Sequence, residues 1–205
     1  MRLGVFGGTF DPPHIGHLVA AQDALSVLHL DRVILVPARV PPHKLHRLIT
    51  PGDIRLELVR AAVDDDPRFE VDDEELRRPG PSWTIDTLRS LSERRPGSRL
   101  FLLLGTDQFR DFTTWRDPDE IRRLAEVAVL SRAGEAPAGE GCISVPVTRI
   151  DVTSTDIRQR VAAGRPIRYL VPAAVEALIE QHGLYSGDRP HAAGTGPVSG
   201  GYDRS

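Results

Sequence analysis

Several residue types are scarce in this 205-residue chain: it has one cysteine, one methionine, two tryptophans and a single lysine, Lys44, among 26 basic residues. One thiol allows neither an intramolecular disulfide framework nor a thiolate zinc site. No apolar run approaches the ~18 residues of a membrane span, and the opening MRLGVFGGTF leads into what reads as core rather than a targeting segment. The expectation is a soluble, cytoplasmic protein. A net charge of -3 and a pI near 6.2 supply no global attraction to nucleic acid or anionic lipid.

What is present suffices for a core, since a chain of this length buries roughly 70% of its unfolded surface. One domain is expected over residues 1–185, with 150–185 as its helical C-terminal part. Residues 186–205, rich in Gly, Pro and Ser and without periodicity, read as a disordered tail. Strands are expected at 2–6, 33–36, 69–71, 100–104, 127–130 and 143–145. The run 100–104 is the most continuously apolar and reads as a strand buried on both faces. Helical spacing links Leu18, Ala21, Leu25 and Leu28, then Ile54, Leu58, Ala61 and Ala62 after Pro51, then Ile85, Leu88 and Leu91 after Pro81-Ser82. Asp117-Pro118-Asp119-Glu120 reads as a capping box with proline in the first helical position, and further helices are expected at 155–163 and 172–182. Strands alternating with helices imply a three-layer α/β fold around a central parallel sheet with right-handed crossovers.

The chemistry concentrates at three junctions. Gly7-Gly8-Thr9-Phe10-Asp11-Pro12-Pro13-His14-Ile15-Gly16-His17 lies between the first strand and the first helix. Its glycines read either as a plain turn or as a place where backbone N–H groups approach a ligand. The helix start beyond offers an anion site towards which both histidines point. It is neither a Walker loop nor a GxGxxG dinucleotide loop. Gly105-Thr106-Asp107 ends the buried strand at the same sheet edge, where ligands bind in such sheets. Asp107 either caps a turn or faces the histidine loop. Thr153-Ser154-Thr155-Asp156-Ile157-Arg158 opens a helix with hydroxyls and an arginine. Capping explains one hydroxyl, and the arginine at the positive helix end points to a phosphate or to a surface ion pair. Trp83 and Trp115 stand at loop-to-helix approaches, buried for structure or stacked on a planar ring.

The first junction resembles the GGTFDPxHxGH signature of the (T/H)xGH nucleotidyltransferase superfamily, and Thr153 to Arg158 is similar to its second signature. Pro41-Pro42-His43-Lys44, Pro81-Ser82-Trp83-Thr84-Ile85-Asp86-Thr87-Leu88, Gly105-Thr106-Asp107 with Trp115, and Ile167 to Pro172 through Tyr185 resemble the bacterial nicotinate-nucleotide adenylyltransferases over residues 2–185. The resemblance implies a Rossmann-like nucleotidyltransferase fold and transfer of AMP from ATP to nicotinic acid mononucleotide, giving deamido-NAD and pyrophosphate. It also implies roles for individual residues. His14 and His17 contact the ATP phosphates and stabilise the transition state, and Gly7, Gly8, Thr9 and Phe10 line the nucleotide. Lys44 neutralises phosphate charge, Gly105 and Asp107 hold the adenosine, and Thr153, Ser154 and Arg158 meet the triphosphate. Trp83 and Trp115 flank the nicotinate ring, with the N–H groups of Thr84 and Arg116 at its carboxylate. Mg2+ is expected to travel with the triphosphate, and the partners are small molecules, with a homo-oligomer left open. Trp83 replaces the family's usual tyrosine, Thr153 a serine, and Arg116 an aromatic residue. The readings weighed against this are the same reaction on nicotinamide mononucleotide or another phosphate acceptor, and a nucleotide-binding protein without catalysis.

Overall fold

The computed structural model describes residues 1–39, 49–132 and 141–186. Pro41-Pro42-His43-Lys44 and the tail beyond Ser186 lie outside these residues.

Six strands form one sheet: β1 (Arg2–Gly8), β2 (Arg32–Pro37), β3 (Phe69–Val71), β4 (Arg99–Gly105), β5 (Ala125–Arg132) and β6 (Ile143–Val147). Every neighbouring pair is parallel, in the order β3-β2-β1-β4-β5-β6. The order reverses between β1 and β4, which is the doubly wound arrangement.

Period-two alternation divides the apolar residues between two cores. Phe101 and Leu103 of β4 face one layer with Val33, Leu35 and Val145, beneath the helices α1 (Ile15–Val27) and α2 (Gly52–Val63), with Ile157, Val175 and Ile179 from α7 (Ser154–Ala162) and α8 (Ala173–Gln181). Leu100, Leu102 and Leu104 face the other layer with Ile34, Val36 and Val129, beneath α4 (Thr84–Arg94) and α6 (Pro118–Leu124). A Cβ on Gly4 would come within 2.8 Å of Leu30 Cδ1 and 3.2 Å of Leu103 Cδ1, so a side chain there would require these leucines to shift. The short helices α3 (Glu74–Arg77) and α5 (Thr106–Arg110) have no sequence counterpart above, because four or five residues display no period.

The sequence reading needs correction in four places. β1 does not end at Phe6, since Gly7 and Gly8 extend it and pair with Val36 and Pro37. The buried stripe of α2 is Arg55, Leu58, Val59, Ala62 and Val63, rotated from the expected one so that it carries an arginine inward. α4 starts at Thr84, because the Ser82 hydroxyl accepts the Arg39 N–H at 2.9 Å instead of capping the helix. The capping box at Asp117 does not form: Asp117 is left-handed (φ 53) with no capping hydrogen bond, and its carboxylate lies 3.9 Å from Arg89. Proline does open α6, as its missing N–H allows.

Candidate active site

The site begins where the sheet splits. β1 pairs with β4 only as far as Val5 and Leu102, whereas β1–β2 continues to Gly8 and Pro37, and β4–β5 to Gly105 and Leu130. The last residues of β1 and β4 therefore diverge at the point of strand-order reversal. A crevice of about 1210 Å3 opens there. Every sequence-predicted site residue within the described ones lines it: Gly7, Gly8, Thr9, Phe10, His14, His17, Trp83, Thr84, Gly105, Asp107, Trp115, Arg116, Thr153, Ser154 and Arg158. Lys44 falls outside the described residues.

Packing explains two motif glycines. A Cβ on Gly8 would come within 2.8 Å of the Phe10 ring, and one on Gly16 within 3.0 Å of His14 Nδ1. At Gly7 it would meet nothing within 4 Å. Phe10 takes a left-handed backbone (φ 48) and is buried against Gly8, a conformation that costs a non-glycine residue about 1–2 kcal/mol.

His14 is the N-cap residue of α1 and His17 lies in its first turn. Their rings stack with centroids 3.7 Å apart, and Phe10 meets His17 edge-on at 5.1 Å. The His14 N–H donates to His17 Nδ1 (3.2 Å), which keeps a neutral His17 as the tautomer with its proton on Nε2. His14 is buried with no partner for Nδ1 among the described residues. Burial pushes its pKa down to about 4, against the opposing pull of Asp156. At neutral pH His14 is thus an uncharged imidazole inside a polar crevice. The start of α1 is less open to an anion than the sequence implied, because the Ile15 N–H already donates to Leu170 O at 3.0 Å.

The second signature is tied to the first. Thr153 is the N-cap of α7, accepting the Asp156 N–H at 3.1 Å and donating to Asp156 Oδ2 at 2.6 Å. Ser154 Oγ donates to Pro12 O at 2.9 Å, and Arg158 Nη1 donates to Asp11 O at 2.7 Å. Arg158 also donates to Thr155 Oγ1 (3.1 Å). The cluster therefore braces the histidine loop from behind, which local sequence could not reveal. The first N–H groups of α7 belong to residues that line the same crevice, with the polarity suited to an anion.

The opposite wall comes from β4 and from α4. Asp107 is the second residue of α5 rather than its cap, and its carboxylate pairs with Arg110 at 2.9 Å while 94% exposed. Gln108 closes that turn by accepting the Gly105 N–H (3.1 Å). Trp83 is the N-cap residue of α4, and the Arg116 guanidinium stands 5.7 Å from its ring centroid. Trp115 tilts against Phe112 at 5.6 Å.

Three site residues escaped the sequence reading. Glu75 is buried in the crevice wall and accepts the Thr87 hydroxyl at 2.6 Å, with burial pushing its carboxyl up. Asp11 accepts the Tyr185 hydroxyl at 2.7 Å. Arg55 reaches the histidine loop from α2. Asp11 lies inside the first motif itself, and Arg55 had a local signal in a charge in register with Leu58, Val59 and Ala62 at helical spacing. Among the described residues no group of three or more His, Cys, Asp or Glu could hold a metal ion.

A doubly wound sheet split at its reversal point, with a glycine–histidine loop in the split, is the architecture of a nucleotidyltransferase. The chain belongs to the cytidylyltransferase-like family, whose model matches residues 5–160, and within it to the nicotinate-nucleotide adenylyltransferases. It is 46% identical over 189 residues to a probable nicotinate-nucleotide adenylyltransferase of Thermus thermophilus, covering 90% of this chain and all of that one. A counterpart from Shouchella clausii is 44% identical, with 90% and 96% covered. The fold is also that of the Plasmodium falciparum nicotinic acid mononucleotide adenylyltransferase solved with NaAD, at a TM-score of 0.74, 16% identity, and 90% and 97% coverage.

Proposed function

We propose that this protein transfers the adenylyl group of MgATP to nicotinic acid mononucleotide, releasing pyrophosphate and forming deamido-NAD, as a soluble enzyme of NAD biosynthesis in the cytoplasm. The observation that carries the reading is the composition of the crevice. One arm holds the stacked histidines and the start of α7, suited to phosphates, and the other holds Trp83, Trp115 and the start of α4, suited to an aromatic acid. Full-length similarity to relatives named for this activity supports it.

In the reaction a phosphate oxygen of the mononucleotide attacks the α-phosphorus of ATP in line. The new P–O bond forms as the bond from the α-phosphorus to the α–β bridging oxygen breaks, and pyrophosphate leaves with that electron pair. The nucleophile is already an anion, so no general base is needed. Bringing two polyanions together and stabilising the charge at phosphorus are the tasks left to the protein. His17 Nε2–H and the first N–H groups of α7 donate to phosphate oxygens, and Arg158 adds charge from a guanidinium held by Asp11 O. Lys44 supplies a further cation to the triphosphate. Mg2+ enters as part of MgATP, on phosphate and water ligands. At the other arm the tryptophans sandwich the pyridine ring, and the Thr84 and Arg116 N–H groups receive its carboxylate.

The test is product analysis. With MgATP and nicotinic acid mononucleotide, deamido-NAD and pyrophosphate should form in equal amounts, and nicotinamide mononucleotide should be turned over more slowly. MgATP binding without product from either acceptor would sink the reading, and faster use of the amide would reverse the specificity.

A further inference from the structure

Arg55 is 1% exposed, yet among the described residues it makes no ion pair. Its three guanidinium nitrogens each serve a different carbonyl: Nε donates to Thr50 O at 2.8 Å, Nη1 to Thr9 O at 2.8 Å and Nη2 to Arg39 O at 3.3 Å. Asp11 and Tyr185 lie close enough to support its charge, while burial lowers its pKa. The Thr50 N–H in turn donates to Asp11 Oδ2 at 3.4 Å, and Asp11 Oδ1 accepts the Tyr185 hydroxyl.

Burying an arginine whose hydrogen bonds all go to neutral carbonyls is costly, and an apolar side chain of similar volume commonly packs such a place as well or better. Core stability alone therefore does not account for a charge on the inner stripe of α2. The three accepting carbonyls do. They belong to the first residue of the loop after β1, to the exit from β2 and to the approach to α2, and a planar fork is the side chain that reaches three separated acceptors. Fixing Thr9 O fixes its whole peptide plane, so the Phe10 N–H is held pointing away from Arg55. The two other braces of this loop act beyond that plane, Arg158 on Asp11 O and Ser154 on Pro12 O.

We propose that Arg55 is a positioning residue for the phosphate end of the crevice. It never touches substrate, but holds the Gly8–Phe10 backbone in the form that receives the polyphosphate. The inference rests on reading the crevice as an ATP site.

Arg55→Met and Arg55→Lys distinguish this from a role in folding. Both should stay folded at the assay temperature by circular dichroism, while MgATP affinity measured by calorimetry falls about tenfold or more, the scale of a misplaced binding group. Affinity for the acceptor mononucleotide alone should change little, and millimolar guanidinium should restore part of the MgATP affinity of Arg55→Ala. Folded Met and Lys variants that bind MgATP as the wild type does would overturn the proposal. So would failure of both to fold, which would make Arg55 a folding residue. Wild-type protein that binds MgATP but makes no deamido-NAD would overturn the proposed reaction and leave Arg55 to be judged on these affinities. Wild type that binds no MgATP would overturn both.

Discussion

His14 and His17 stack ring on ring, 3.7 Å between centroids, while the backbone N–H of His14 donates to His17 Nδ1. One contact orients the other: the hydrogen bond sets the tautomer of His17, and the stack sets the direction in which its Nε2–H is presented. His17→Ala removes that donor and, from the packing, only the edge-on ring contacts with Phe6 and Phe10 and the stack on His14. Its kcat should fall about 100-fold, as for loss of a preorganised transition-state donor, with little change in Tm. A variant keeping more than a tenth of wild-type kcat would remove His17 from the chemistry.

His14 makes the fold sensitive to acid. Its pKa is about 4 in the folded chain and 6.5 in the unfolded one, so the unfolded state binds the proton first as pH falls. The associated stability is present above pH 6.5 and is lost progressively as pH drops through 4, up to about 3 kcal/mol. In urea titrations His14→Asn should flatten this part of the stability profile between pH 6.5 and 4. MgATP should have the opposite effect on the wild type, since phosphate beside the ring favours its proton. At pH 5.5 calorimetry in buffers of different ionisation enthalpy should then register proton uptake on binding, and should not for His14→Asn.

Tyr185 joins the end of the described chain to the histidine loop through Asp11. Tyr185→Phe leaves a buried carboxylate oxygen without its donor, a loss of about 1–3 kcal/mol by chemical denaturation. If Asp11 serves the loop as well as the fold, the MgATP Kd should rise too. Unchanged stability would mean that the hydroxyl is replaced by water without cost.

The only two tryptophans in the chain both line the crevice. Saturation with nicotinic acid mononucleotide should quench the intrinsic fluorescence, and Trp83→Phe should reduce the amplitude and weaken acceptor binding. An emission spectrum indifferent to the acceptor would place the pyridine ring elsewhere.

Much of the fold was legible because its signals are local. Leu100, Leu102 and Leu104 alternate with Phe101 and Leu103 by strand geometry alone, and this already implies a sheet covered on both faces. The same holds for the glycines and histidines at the junction of β1 and α1, where six residues of chain connect strand to helix. The α2 stripe differs from the expected Ile54, Leu58, Ala61 and Ala62 because Arg55 turns inward, against the habit of most arginines. The capping box was misread because its carboxylate found two arginines instead of its own helix.

The residue pattern by itself determined the layers, the parallel sheet and the glycine, histidine, tryptophan and hydroxyl positions that line one crevice. Tertiary structure alone decided that β1 parts from β4 after Val5, which turns a sheet edge into a crevice. It also decided what holds the loop in that crevice: Arg55 from 46 residues beyond Thr9, Arg158 from 147 beyond Asp11, and Tyr185 from 174 beyond Asp11. Periodicity and turn chemistry act between neighbours a few positions apart. A hydrogen bond closed across such separations follows only once the packed layers have brought its two ends together.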